Sequence, residues 1–159
     1  MPYEFNYLVE MDVLEEYTAN GTRVSFLNMV CDGTGYQVVA PVRYGGGNPT
    51  GKEIFEVFMS RWTSWAGMPY RVFMDQARNN LAHVRTQLIE RGVHCEFTSL
   101  EQHHHLGRCE RAGGVWKEIW RRVCFDQQLL SEGDVEVGVA ETNRAKNSMM
   151  RRGGFAPVQ

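Results

Sequence analysis

Three acidic residues are placed where chemistry could be done. Asp12 follows the run Tyr7-Leu8-Val9-Glu10-Met11, and Asp75 closes Tyr70-Arg71-Val72-Phe73-Met74. Glu110 lies near the start of Gly107-Arg108-Cys109-Glu110-Arg111-Ala112-Gly113-Gly114-Val115-Trp116-Lys117. The first two runs are strand-like and the third is helix-like. Acids at the ends of neighbouring strands, with another on a facing helix, bring several carboxylate oxygens to one point. That is the donor set a pair of hard divalent cations needs, and paired cations drive in-line displacement at phosphorus.

The Glu110 segment carries a second pattern. Glu110, Gly114, Lys117 and Arg121 fall on one helical stripe, while Ala112, Trp116, Ile119 and Val123 form the apolar stripe expected to pack on a sheet. Two adjacent glycines inside a helix cost about 1 kcal/mol each against alanine. A local rule broken beside a carboxylate points to a function. Gly114 is expected to let a DNA backbone approach closely, with Lys117 meeting a phosphate. The alternative is that Gly113 and Gly114 pack against a neighbour or kink the helix.

The elements that must position these residues follow from turn chemistry and periodicity. Strands are expected at 5–14, 24–31 and 36–42, joined by the turn signals Asn20-Gly21 and Asp32-Gly33-Thr34-Gly35. After the glycine-rich loop 44–49, Thr50-Gly51-Lys52-Glu53 forms a capping box. Ile54, Phe55, Phe58, Trp62 and Trp65 continue it at helical spacing, until Gly67 and Pro69 stop the helix. A strand at 71–75, a helix at 77–91 with Leu81, Val84 and Leu88 inward, and a strand at 93–98 come next. Helices at 107–125 and 131–148, the latter capped by Ser131, complete the chain. The order β-β-β-α-β-α-β-α-α predicts an α/β protein. Its five-stranded mixed sheet, three antiparallel strands and then parallel ones, is flanked by helices and resembles the RNase-H-like fold.

Bulk properties narrow the class. The chain has 159 residues, 43% of them hydrophobic, and reads as one domain over 1–159. Its mean hydropathy is −0.40 and it has no long apolar run, which excludes a membrane-spanning helix. Met1-Pro2-Tyr3-Glu4-Phe5 has no basic region followed by an apolar stretch, so the protein is expected not to be secreted. A formal charge of −2 argues against tight non-specific nucleic-acid binding through net charge. Local basic groups remain: Arg108, Arg111, Lys117, Arg121 and Arg122, then Arg144, Lys146, Arg151 and Arg152.

Other candidates are weaker. Asp32 fits a turn residue, and Glu10 shares a strand face with Asp12 but is read as peripheral. His103-His104-His105 cannot easily converge on one ion, so a loop is expected there. Cys31, Cys95, Cys109 and Cys124 show no C-x-x-C spacing and are read as buried free thiols. Trp62, Trp65, Trp116 and Trp120 are read as core or interface aromatics, and Met149-Met150 as packing.

Taken in order, several segments resemble the catalytic core of a retroviral-type integrase in its retrotransposon form, over almost the whole chain. They are Asp12 after its strand, Phe26-Leu27-Asn28-Met29-Val30, and Trp62-Thr63-Ser64-Trp65-Ala66-Gly67-Met68-Pro69. Asp75-Gln76 follows, then Gly107-Arg108-Cys109-Glu110-Arg111 with Gly113-Gly114-Val115-Trp116-Lys117. Lys146-Asn147-Ser148 and Arg152-Gly153-Gly154-Phe155-Ala156-Pro157 match the end of that domain. The resemblance implies a D-D-E triad of Asp12, Asp75 and Glu110 holding two Mg²⁺ (or Mn²⁺) ions, with Asp12 shared between them. It implies a polynucleotidyl transferase that trims the 3′ ends of element DNA and joins them to target DNA. Gly114, Lys117 and Arg121 would face DNA, the protein would be a homodimer or larger assembly, and it would work in the nucleus after synthesis in the cytoplasm. Three features depart from the family. The Asp75 to Glu110 gap is one residue short, Ala77 stands where a glycine is usual, and His103-His104-His105-Leu106-Gly107 replaces the usual loop. A non-catalytic dimerisation remnant and a nuclease acting on RNA–DNA hybrids are the rival readings.

Overall fold

The computed structural model describes residues 4–75, 81–98 and 107–149. The His103-His104-His105 loop, the first residues of the helix expected at 77–91 and the motif at 152–157 lie outside them. Strands β1 (Leu8–Tyr17), β2 (Arg23–Cys31) and β3 (Gln37–Tyr44) form an antiparallel meander, and β4 (Arg71–Asp75) and β5 (His94–Thr98) add in parallel. The five-stranded sheet runs β3-β2-β1-β4-β5, so the first and fourth strands are neighbours. Gly21 and Gly35, at φ 82° and 79°, supply the left-handed backbone that the two meander turns require.

β1 lies three residues later than its apolar run suggests. Asn6 adopts φ 65° and is pinned on three sides. Its amide donates to the carbonyls of Ala66 (2.9 Å) and Gly67 (3.0 Å), and its Oδ1 accepts from the Trp62 indole (2.8 Å). Extended pairing therefore begins at Leu8 opposite Arg71, and the hairpin with β2 runs on to Tyr17 opposite Arg23.

The helices are α1 (Gly51–Phe58), α2 (Ser64–Ala66), α3 (Ala82–Glu90), α4 (Gly107–Gln127) and α5 (Glu132–Met149). Thr50 and Glu53 close the expected capping box on α1. A π-helical turn, Met59–Thr63, joins α1 to α2. Phe58 and Trp62, four residues apart across that turn, are both fully buried. Carbonyls loosened by the wide turn accept from neighbours: Met59 from Thr63 Oγ1 (2.8 Å), Ser60 from Ser64 Oγ (2.6 Å) and Arg61 from the Trp65 indole (2.7 Å).

Strand alternation divides the interior into two layers. On one face Val9, Met11, Leu27, Met29, Val72 and Met74 pack against Ile54, Phe58, Trp62, Leu81, Val84 and Leu88. On the other, Leu14, Val24, Phe26 and Val39 meet Trp116, Trp120, Val135 and Val139 of α4 and α5. Trp116 and Trp120 stack with ring centroids 5.5 Å apart and both rest against Phe26. Their indoles set the roll of α4. Its inward residues are Cys109, Ala112, Gly113, Trp116, Trp120 and Cys124, while Ile119 and Val123, expected inward, are half-buried.

α5 closes the β3 edge of the sheet. The Asn147 side chain accepts from Gln37 N (2.8 Å) and donates to Gln37 O (2.7 Å). Asn143 does the same for Val39, at 3.2 and 3.0 Å. Residues four apart on a helix rise ~6 Å and residues two apart on a strand ~6.6 Å, so two asparagines match two strand positions and leave those polar groups satisfied.

Between those asparagines' turns sits Lys146, fully buried, with no hydrogen-bond partner for its Nζ among the described residues. Burial pushes its pKa down from 10.5 to about 8. Below pH 8 the ammonium is charged in both states, so the folded state carries the whole desolvation penalty. From pH 8 to 10.5 the folded protein has released a proton that the unfolded chain retains, and stability rises. Lys146→Met is expected to stabilise the protein at pH 7 by ~1–3 kcal/mol and to lose that alkaline gain. Urea unfolding of both proteins at pH 7 and pH 10 measures it.

Candidate active site

Four alternate residues of β1, Glu10, Asp12, Leu14 and Glu16, face α4, and each meets it differently. Glu10 Oε2 accepts from the backbone N–H of Cys109 at 3.1 Å. Asp12 opens onto the same cleft as Glu110. Leu14 packs on Gly113, where an added Cβ would lie 3.1 Å from Leu14 Cδ2. Glu16, almost fully buried, takes Arg121 Nε at 2.9 Å and its Nη2 at 2.7 Å. Six strand residues span ~20 Å and twelve helical ones ~18 Å, so the strand and the helix keep pace over the whole contact.

The cleft has a volume of ≈ 510 Å³. Asp12, Val13, Leu14 and Glu15 form its floor, Glu110, Gly113, Gly114 and Lys117 one wall, and Asn48 with Pro49 the other. Asp12 is half-buried, and its Oδ1 accepts from the Val13 N–H at 2.9 Å. Glu110 is exposed. Burial, and then the charges of Asp12, Glu10 and Glu110, push the thiol of the neighbouring Cys109 well above its ordinary pKa. The parallel register runs to Met11 opposite Met74, the residues immediately before Asp12 and Asp75. The carboxylate of Asp75 lies outside the described atoms. Among the described residues no three His, Cys, Asp or Glu side chains make a metal-binding group. The donor chemistry nonetheless fits a hard divalent cation: Asp12 and Glu110 offer carboxylate oxygens to one polar cleft.

Behind that cleft lies a buried polar layer. Burial, then the charge of Asp32, raise the Glu10 carboxyl to about 7, against the opposing pull of the Cys109 N–H and of Arg108. Arg108 Nη1 is held by Asp32 Oδ1 at 3.0 Å, which gives the turn acid a structural task. Asn28 pairs with Asp12 across β1 and β2 and donates to the carbonyl of Cys109 at 3.1 Å. Gln37 Nε2 in turn donates to Asn28 Oδ1 at 2.7 Å.

The remaining expected site residues separate by environment. Lys117 is half-buried on the cleft wall, and no ion pair engages it among the described residues. Arg121 is joined to Glu16. The two glycines differ in their surroundings. A Cβ on Gly113 would stand 3.2 Å from Asn28 Nδ2, so Gly113 is where the sheet comes close; a Cβ on Gly114 would meet nothing within 4 Å. Cys31, Cys109 and Cys124 are buried and Cys95 half-buried, all four unbridged. Glu10, Asn28 and Asn48 were not singled out by the sequence as site residues. A lone asparagine in the otherwise apolar run Phe26-Leu27-Asn28-Met29-Val30 was the available signal.

No family model and no curated protein matches the chain. Solved structures match its fold. The HTLV-2 integrase catalytic core domain in complex with magnesium, in dimeric form, aligns with a TM-score of 0.76 at 16% identity, over 100% of this chain and 98% of that one. Its trimeric form gives 0.75 at 15% identity, over 97% and 95%. The simian T-cell lymphotropic virus intasome in complex with PP2A regulatory subunit B56 gamma gives 0.78 at 14% identity, over 99% of this chain and 54% of that one. The chain therefore has the RNase-H-like fold of retroviral integrase cores, with the sheet order described above.

The contrast between the glycines is measurable. Gly114→Ala is expected to stabilise the protein by up to ~1 kcal/mol through helix propensity alone. Gly113→Ala is expected to be less stable than Gly114→Ala by ~1–3 kcal/mol, because the new methyl is forced against Asn28 and Leu14. Parallel thermal and urea unfolding of the two variants tests this.

Proposed function

We propose that this chain is the core of a retrotransposon integrase, a divalent-metal-dependent polynucleotidyl transferase acting on DNA. The observation that carries the reading is the cleft in which Asp12, Glu110 and Lys117 share one polar surface on an integrase-core fold. The magnesium complexes of the HTLV-2 core support the choice of ion. Asp12, Asp75 and Glu110 would hold Mg²⁺ or Mn²⁺, two ions in all, which supply a nucleophile of lowered pKa and neutralise the leaving oxygen of an in-line displacement.

The chain's own residues do the rest. Lys117, beside Glu110's helical face, offers an ammonium to a backbone phosphate, and the bare Gly114 lets that backbone lie close to α4. Arg121 extends the stripe while its guanidinium steadies Glu16. Asn48 and Pro49 bound the strand from the opposite side. The reactions supported by this reading are 3′-end trimming of element DNA and joining of the new 3′ end to target DNA in the nucleus. The dimeric and trimeric forms of the HTLV-2 core support a homodimer or larger assembly.

Asp12→Asn, Asp75→Asn and Glu110→Gln are each expected to lower Mn²⁺-dependent strand transfer by at least ~100-fold while the far-ultraviolet circular dichroism stays native. Unchanged turnover in all three would end the proposal, and preference for an RNA–DNA hybrid over duplex DNA would redirect it to a hybrid nuclease. Lys117→Ala is expected to weaken duplex binding and to reduce the slope of log affinity against log salt by about 1. Fluorescence anisotropy across a salt series reads that slope.

A further inference from the structure

The residue immediately before Glu110 is gripped by both of its backbone groups, from two different strands. Cys109 N–H is one of the four amides that the start of α4 leaves without a helical acceptor. Glu10 Oε2 fills that vacancy at 3.1 Å. The Cys109 carbonyl receives Asn28 Nδ2, also at 3.1 Å. Glu10 and Asn28 flank Asp12, one two residues before it on β1 and the other opposite it on β2. Both are buried, with relative exposures of 2% and 0%. Asn28 is itself fixed, since its Oδ1 takes Gln37 Nε2 at 2.7 Å, and the backbone of Gln37 is bonded both ways to Asn147. The missing Cβ of Gly113 makes room for Asn28 to reach that carbonyl.

We propose that Glu10 and Asn28 are positioning residues. They register the first turn of α4 against the strand that bears Asp12, so that Glu110 and Asp12 stand at a fixed separation before any cation arrives. This deepens the reading of the cleft as a metal-dependent active site and rests on it. Glu10 acts here as a hydrogen-bond acceptor, a task an amide oxygen also performs. Removing Glu10 leaves Arg108 with its Asp32 partner, so Glu10→Ala retains that anchor of the turn.

The test uses two readouts on Glu10→Ala, Glu10→Gln and Asn28→Ala. In metal-free protein, amide hydrogen exchange at residues 108–111 is expected to quicken about tenfold in Glu10→Ala and Asn28→Ala, and to stay within about twofold of the parent in Glu10→Gln. The Mn²⁺ concentration giving half-maximal thermal stabilisation is expected to rise about tenfold in the alanine variants and again to be held by Glu10→Gln. Unchanged exchange in Glu10→Ala overturns the clamp. So does a Glu10→Gln protein as impaired as Glu10→Ala, since charge rather than placement would then be at work. Where the exchange pattern holds but the parent shows no Mn²⁺ response, the metal-site reading fails and the clamp on Glu110's turn stands. Should Asn28→Ala fold poorly, the two Glu10 variants decide the matter alone.

Discussion

The close approach of β1 and β2 to α4 is the contact on which the candidate site depends. A strand presents every second residue to one side, and here that side carries Glu10, Asp12, Leu14 and Glu16 in succession. A helix laid along it must offer a fitting partner at each level. α4 does so with a helix-start amide for Glu10, a glycine for Leu14 and an arginine for Glu16, and it sets Glu110 on the same cleft as Asp12. The stacked indoles of Trp116 and Trp120 keep the helix from rolling, so the polar matches are held by apolar packing further along.

Electrostatics set a second condition. A surface that gathers acids around a cation site repels itself when no cation is bound. The accessory acids of this face are each compensated within the chain. Glu16 pairs with Arg121 and Asp32 with Arg108. Glu10 is deep enough for burial to favour its protonated form at moderately acidic pH. Burial first, and the neighbouring charges of Asp12, Glu10 and Glu110 after it, keep the Cys109 thiol protonated.

Much of this arrangement was legible in the chain itself, because local chemistry and global fold agree there. Asn20-Gly21 and the Thr50 capping box act over a few residues, and both formed as the sequence required. The alternation in β1 and β2 dictated which residues enter which layer. The failures came where distant atoms decide. β1 starts late because Asn6 is bound to Ala66, Gly67 and Trp62, some 60 positions away. The inward face of α4 is rotated because ring stacking on Phe26 outweighs the strict spacing of aliphatic residues. The double glycine was visible as an anomaly, but only the position of Asn28 shows that its two members do different things.

The asparagine pair on α5 bears on how the molecule meets copies of itself. A strand at the margin of a sheet normally displays a row of amides and carbonyls that another extended chain can zip onto. Gln37 and Val39 have already spent theirs on Asn147 and Asn143. Growth of a continuous intermolecular sheet is thus blocked at the meander margin, and association there must proceed through side chains of the covering helix. Any contact made across that margin would join folded bodies and leave the strand order of each sheet unchanged.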